Sequence, residues 1–430
     1  MFKTLDRDIL RIALPAIVTN ITVPLLGLVD TAIVGHMGAA AYIGAVAVGT
    51  MIFSLVYWLF GFLRMGTSGL TAQARGRRDF GEVTRLLRLS IAVSLAVSFV
   101  LLLLQWPLRE LMLWFISPTE DVRQWAVTYF NIVVWGAPPM LSLYGLTGWF
   151  IGMQNTRLPM VVSIVQNIVN ILASLTLVYV LDMKVEGVAL GTVIAQYVGL
   201  LTGVLLMWRY YGRLFRKYEQ TRTKKYQWKA FLQVNRDIFI RTLFLVAVNL
   251  YFTSAGARQG AVILAVNTLL IQLYLLFSYI MDGFAYAGEA LGGRYWGGEN
   301  LVAFHKVVKR LFGWGAMMTL VFTLGYVTGG SRFLRLLTDE SSVVNASIVY
   351  VWWAYLIPVA GVAAFVWDGI FIGMTQTRGM LVSSCLAAIG FFACSLLLMP
   401  LWGNHGLWAA MLLFLFLRGS TQTLIFYKTC

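Results

Sequence analysis

GWFIGMQNTR (Gly148–Arg157) and GIFIGMTQTR (Gly369–Arg378) are nearly one phrase written twice, 221 residues apart in a chain of 430. The echo extends beyond those ten positions. Gly38, Gly61-Phe62 and Gly66 recur as Gly260, Gly283-Phe284 and Gly288 at an offset of 222, and Gly187 recurs as Gly406 at 219. An offset that drifts so little over half a chain marks an internal repeat.

Composition says what is repeated. The chain is 59% hydrophobic and 12% charged, about half the charge of a soluble domain. Apolar runs of about 20 residues, enough for a helix to cross about 30 Å of hydrocarbon, follow one another along its length. The expected fold is therefore an all-α polytopic membrane protein with twelve transmembrane helices, near 9–34, 41–70, 86–106, 125–150, 158–181, 187–208, 239–256, 260–287, 311–329, 346–372, 379–400 and 405–427. The long polar stretch after Arg209 divides them six and six, giving an N-lobe (1–215), a basic cytoplasmic connection (216–235) and a C-lobe (236–430). Six is even, so both copies enter the membrane from the same side. This parallel repeat is an arrangement of secondary transporters, whose halves move around a central site.

Lys and Arg collect at both ends of the chain and in the loops after even-numbered spans, which puts both termini in the cytoplasm. The opening MFKTLDRDILRIALPAIV is basic and then apolar like a signal peptide, but no small-residue cleavage site follows, and it reads as the first retained span. The net charge of +15 lies in a few loops, such as RGRRDFGEVTRLLR (Arg75–Arg88), where it serves orientation and attraction to anionic lipid rather than nucleic acid. Cys385, Cys394 and Cys430 form neither a disulfide framework nor a metal pattern, and His36, His305 and His405 show no metal spacing. There is no HExxH, GxSxG, Walker loop or GxGxxG after a strand. An enzyme is not expected, and without a nucleotide site any pumping must draw on an ion gradient.

An ionisable group in hydrocarbon costs at least about 2.5–3.5 kcal/mol, so each one asks for an explanation. Five stand out. Asp30 lies toward the outer face, where the spans offer no basic partner. A lone buried carboxylate is costly whereas a carboxylic acid is not, which makes Asp30 the candidate ion-coupling residue. A hydrogen-bonded Asp in a solvated vestibule stays open as the alternative. Pro24, six residues earlier, removes a backbone hydrogen bond and is the candidate helix hinge. Arg64, Asp282, Glu289 and Asp368 lie toward the cytoplasmic ends of their spans and read as a charge-neutralising network, or as a gate built from one. In span 5, Gln166, Asn167 and Asn170 either join helices or line a cavity.

The stretches NITVPLLGLVDTA (Asn20–Ala32), GLTAQA (Gly69–Ala74), DGFAYA (Asp282–Ala287) and DGIFIG (Asp368–Gly373) resemble, over essentially the whole chain, the signatures of the MATE (multidrug and toxic compound extrusion) family, in its bacterial DinF-like branch. The resemblance implies a V-shaped, two-lobed transporter that exports amphipathic, often cationic compounds in exchange for protons or sodium. It maps the family's first-helix acid onto Asp30, whose protonation bends that helix, and the fifth-helix Asn of the same cavity onto Asn170. Asn167, Gln166, Ser174 and Asn20 are then further cavity or substrate residues. Many relatives carry a second acid where this chain has Ser174, and its loss weakens an oxygen cage for sodium more than it weakens protonation of one Asp. Span 7 has no acid, so coupling through the C-lobe would fall to Asp368 or Asp282. The expectation is a proton-coupled antiporter of the bacterial plasma membrane. It would be a monomer in contact with membrane lipid, handle lipophilic or cationic small molecules, and need no cofactor or metal beyond the coupling proton. Sodium coupling is the alternative, followed by a lipid-linked precursor flippase, which would want a more basic cavity than Arg64 alone supplies.

Overall fold

A backbone in hydrocarbon must satisfy its own hydrogen bonds, and a long apolar run does so as a helix. The computed structural model describes residues 2–37, 39–218, 225–337 and 340–429, and among them there is no strand. Span 1 is the helix Phe2–Gly35. Eleven further helices are long and apolar enough to cross a membrane among the described residues. They are span 2 (Ala40–Gly76), span 3 (Phe80–Leu103), span 4 (Glu120–Gly152), span 5 (Arg157–Val180), span 6 (Val185–Lys217), span 7 (Trp228–Ala257), span 8 (Ala261–Gly297), span 9 (Leu301–Gly330), span 10 (Ser341–Gly373), span 11 (Thr377–Trp402) and span 12 (Asn404–Thr429). With span 1 they make twelve. Several run past the apolar segment that announced them: span 9 starts at Leu301 and span 6 ends at Lys217. Hydropathy marks the part of a helix that lies in lipid, and the helix continues where charged side chains meet water. Gly38 of the repeat and part of the basic connection lie outside the described residues.

The chain forms two compact units, Leu14–Leu232 and Gln233–Cys430, the second joined by Met1–Ala13. The first turns of span 1 thus pack with the C-terminal unit. Within it, the Trp314 indole donates to Asp6 Oδ1 at 3.2 Å, and Arg310 lies 3.7 Å from Asp6 Oδ2.

Each unit repeats the other's internal packing. In the N-terminal unit span 2 lies on span 4 and span 5 on span 6; in the C-terminal unit span 8 lies on span 10 and span 11 on span 12. The repeated phrase supplies the first of these contacts. A Cβ on Gly148 would stand 2.2 Å from the carbonyl oxygen of Arg64, and one on Gly369 would stand 2.2 Å from that of Ala285. One turn on, a Cβ on Gly152 would meet the Ser68 carbonyl oxygen at 2.7 Å, and one on Gly373 would meet that of Glu289 at 2.9 Å. Small residues four apart let two helix backbones touch, which is how membrane helices pack tightly where water gives no hydrophobic drive. Trp149, between the two N-terminal glycines, is fully buried and donates to the Val83 carbonyl of span 3 at 2.9 Å.

Gly148→Ala and Gly369→Ala should each cost about 1–3 kcal/mol, because backbone rather than a flexible side chain must give way. Gly325, with open space around its Cα, is the control. Thermal midpoints in detergent should fall for the first two and hold for Gly325→Ala; equal midpoints for all three would contradict the contact.

Candidate functional site

In the N-terminal unit, five spans bring polar groups to one place. Span 1 contributes Asp30, buried at 8% exposure, and its Oδ1 has no hydrogen-bond partner among the described residues. Tyr129 of span 4 is close enough for the charge of Asp30 to act on its hydroxyl, which also reaches Thr192 of span 6. The same hydroxyl lies 3.5 Å from Thr50 Oγ1 of span 2. On span 5, Asn170 Nδ2 donates to Thr192 Oγ1 at 3.1 Å, and Thr192 in turn donates to the Val188 carbonyl at 3.1 Å. Tyr129 and Thr192 thus stand between Asp30 and Asn170, the two residues picked out in the sequence, with hydrogen bonding on the Asn170 side and only a through-space electrostatic influence on the Asp30 side.

One turn beyond Asn170 on the same face of span 5 lies Ser174, fully buried against Gly191 of span 6, where a Cβ would stand 2.3 Å from its Oγ. Neither Asn170 Oδ1 nor Ser174 Oγ has a hydrogen-bond partner among the described residues. Among the described residues no cation forms an ion pair with Asp30. A buried carboxyl so placed is inexpensive as the acid and expensive as the anion, and hydroxyl and amide donors stand ready to meet either form.

The other span 5 amides join helices. Asn167 Nδ2 donates to the Thr22 carbonyl of span 1 at 3.3 Å, beside a 3.4 Å contact between the Thr22 and Ser163 hydroxyls. Higher up, the Tyr179 hydroxyl donates to the Ile33 carbonyl at 3.3 Å. Gln166 packs on Gly199 of span 6. Span 1 is thus held to span 5 on both sides of the segment that carries Asp30. The side chain of Pro24 lies outside the described residues. Its imide cannot donate to the carbonyl of Asn20, and Asn20 itself is half-buried in the same helix.

The cytoplasmic-side network needs correction. Asp368 of span 10 meets its positive charge in Arg241 of span 7 and Arg418 of span 12, not in Arg64. Arg241 and Arg418 both donate to Asp368 Oδ2, the latter at 2.5 Å, and Gln422 donates to Oδ1 at 2.8 Å. Asp282 acts on Arg241 through space, and Glu289 is buried in a π-helical turn, Gly288–Gly292. Arg64 belongs to the N-terminal unit, where its backbone meets Gly148. Arg241 and Arg418, at 4% and 5% side-chain exposure, fall inside the expected spans 7 and 12 but were not among the five charged groups singled out in the sequence. The signal was there: FIRTLFLVAV and LFLFLRGSTQ each set one arginine in an apolar run. Tyr129 and Thr192 gave no such signal, since both residue types are ordinary in membrane helices.

No group of three or more His, Cys, Asp or Glu side chains that could hold a metal ion occurs among the described residues.

Comparison with known proteins agrees with this architecture. A family model, MatE, matches residues 15–176. DNA damage-inducible protein F of Escherichia coli (strain K12) is 38% identical over 427 residues, covering 98% of this chain and 92% of that protein. Protein DETOXIFICATION 44, chloroplastic, of Arabidopsis thaliana is 27% identical over 441 residues, covering 96% and 80%. Among solved structures, the outward-facing conformation of a multidrug resistance MATE family transporter of the MOP superfamily superposes with a TM-score of 0.89 at 17% identity, covering 99% of this chain and 96% of the other. That likeness is one of fold.

Because two buried guanidinium groups converge on one carboxylate, Asp368→Asn should destabilise the protein by about 3–5 kcal/mol, leaving both cations uncompensated. The measurement is the thermal midpoint in detergent. A midpoint equal to that of the unmodified protein would mean that the ion pairs carry no structural role.

Proposed function

Since this chain belongs to the MATE family of multidrug efflux transporters, secondary transporters rather than enzymes, we propose that it is a proton-coupled antiporter that exports amphipathic cationic compounds across the bacterial plasma membrane by alternating access. The observation that carries the ion assignment is Asp30, a buried carboxyl without a cation. As an anion Asp30 calls on the donors around it, Tyr129 and, through Thr192, Asn170. As an acid it needs none of them and can itself donate. Gain or loss of one proton therefore changes which hydrogen bonds hold span 1 against spans 4, 5 and 6. Pro24, six residues away, and Thr31, whose hydroxyl donates to the Gly27 carbonyl at 2.8 Å, both weaken the local helix. A span with a weakened ladder next to a titrating group is suited to bend. Both termini lie in the cytoplasm in this scheme, so the outer-half acid takes its proton from outside as substrate leaves.

The C-terminal unit supports coupling confined to the N-terminal one. A proton at Asp368 would have to displace two buried guanidinium donors, whereas at Asp30 it displaces none. Sodium coupling is the second reading, favoured by the three unpartnered oxygens on Asp30, Asn170 and Ser174. Only one of them bears a charge, which is poor compensation for dehydrating a hard cation. The two buried arginines enlarge the basic inventory that a lipid-linked precursor flippase would want, yet both are engaged by Asp368. A headgroup-flipping assay in vesicles separates that reading.

In proteoliposomes, a pH gradient alone should drive dye efflux and a sodium gradient alone should not; the reverse would refute the proton assignment. Asp30→Asn should remove gradient-driven efflux by at least about a hundredfold, the size expected when an essential proton acceptor is lost, with the thermal midpoint unchanged or raised. Coupled efflux at the normal rate would exclude Asp30.

A further inference from the structure

The N-terminal unit carries a second feature, which shares no residue with the Asp30 site. A groove of about 830 Å³ runs between spans 3, 4 and 6. Its walls are apolar, with Ile91 and Leu95 on span 3 facing Leu200 and Val204 on span 6. Two cations, Arg88 of span 3 and Arg216 of span 6, also line it, and Arg216 stands at its rim next to the end of span 6. Ser142 of span 4 lines the groove, is 2% exposed, and its Oγ has no hydrogen-bond partner among the described residues.

Length and layout narrow what can fill it. From Leu200 to Arg216 span 6 rises about 24 Å at about 1.5 Å per residue. One leaflet, half of a bilayer about 40–45 Å thick with its headgroups, is nearly the same depth. A soluble anion would use the cations and make nothing of the long apolar walls, and a neutral lipid would use the walls and make nothing of the charge that lines them. Spans 3 and 4 run antiparallel, with Ser98 donating to the Ala137 carbonyl and Trp149 to that of Val83. This pairing sets Ser142 roughly one helical turn deeper than Arg88, where an ester carbonyl lies below its phosphate.

We propose that this groove is a binding site for a single anionic phospholipid, with its phosphate between Arg88 and Arg216, an ester carbonyl on the Ser142 hydroxyl and an acyl chain along Ile91, Leu95, Leu200 and Val204. The leaflet is the cytoplasmic one. Only that last assignment rests on the orientation proposed above; the site itself does not depend on the coupling ion or on transport.

The test uses the purified full chain, equilibrated with vesicles of equal phosphatidylglycerol and phosphatidylcholine, extracted in mild detergent and weighed by native mass spectrometry. The unmodified protein should retain one phosphatidylglycerol in preference to phosphatidylcholine. Arg88→Gln combined with Arg216→Gln should lower that retention about thirty-fold, since each cation near a membrane surface is worth about a factor of five. Arg88→Lys with Arg216→Lys should restore most of it. Leu200→Trp, which fills the deep end, should reduce retention with both cations intact. Unchanged thermal midpoints show that the variants fold. Equal retention of the two lipids, or a preference that survives removal of both arginines, would overturn the site; so would full displacement of the lipid by soluble glycerol phosphate. Asp30→Asn should retain the lipid normally, so a failure of the coupling assignment leaves this result untouched. Labelling of the termini from either side of intact cells independently decides the leaflet.

Discussion

The architecture depends on backbone touching backbone at four glycines. Gly148 and Gly152 press span 4 onto the carbonyls of span 2, and Gly369 and Gly373 press span 10 onto those of span 8. In lipid, two helices gain nothing from burying apolar surface, because the tails they displace are equally apolar. What they can gain is close van der Waals contact, and only glycine brings the axes near enough for it. Both contacts sit at the same offset of 221 on both partners, from Arg64 to Ala285 and from Gly148 to Gly369. A sequence diverging everywhere else had little freedom there, which is why the phrase is still legible in two copies.

On this symmetric frame the polar groups are not symmetric. At the offset of 222 kept by Gly38 and Gly66, Asp30 falls on Phe252, and at 221 Asn170 falls on Phe391, so aromatic rings stand in the C-terminal unit where the N-terminal unit has an acid and an amide. Asp368, in turn, falls on Thr147 at 221, and Arg241 on Thr19 at 222. Asp30 and Asp368 are thus treated differently. One acid is fixed by two guanidinium groups and an amide, and the other is left among groups that can accommodate a proton. A fixed ion pair serves rigidity, and the proposed coupling uses the acid that no such pair holds.

Much of this was legible before any coordinates. The repeat, the twelve spans and the lone acid of span 1 follow from periodicity, hydropathy and the cost of charge in hydrocarbon, all local properties of the chain. The partners were harder. Arg241 and Arg418 each stand within an expected span, but which neighbour an arginine meets is not written along its own helix. Only folding shows that their side chains turn inward onto span 10. Asn167 and Asn170, three residues apart, carry the same side chain, yet one holds span 1 and the other faces Thr192, because their rotations about span 5 aim them at different neighbours.

The sequence by itself determined the solvent, the number of crossings, the duplication and which acids demand an account, because each of these is set by residue type and order along one helix. The tertiary structure decided which acid is neutralised and which is not. That choice depends on side chains brought together from helices 50 to 127 residues apart, at separations of a few ångströms, a scale at which electrostatics changes from negligible to dominant.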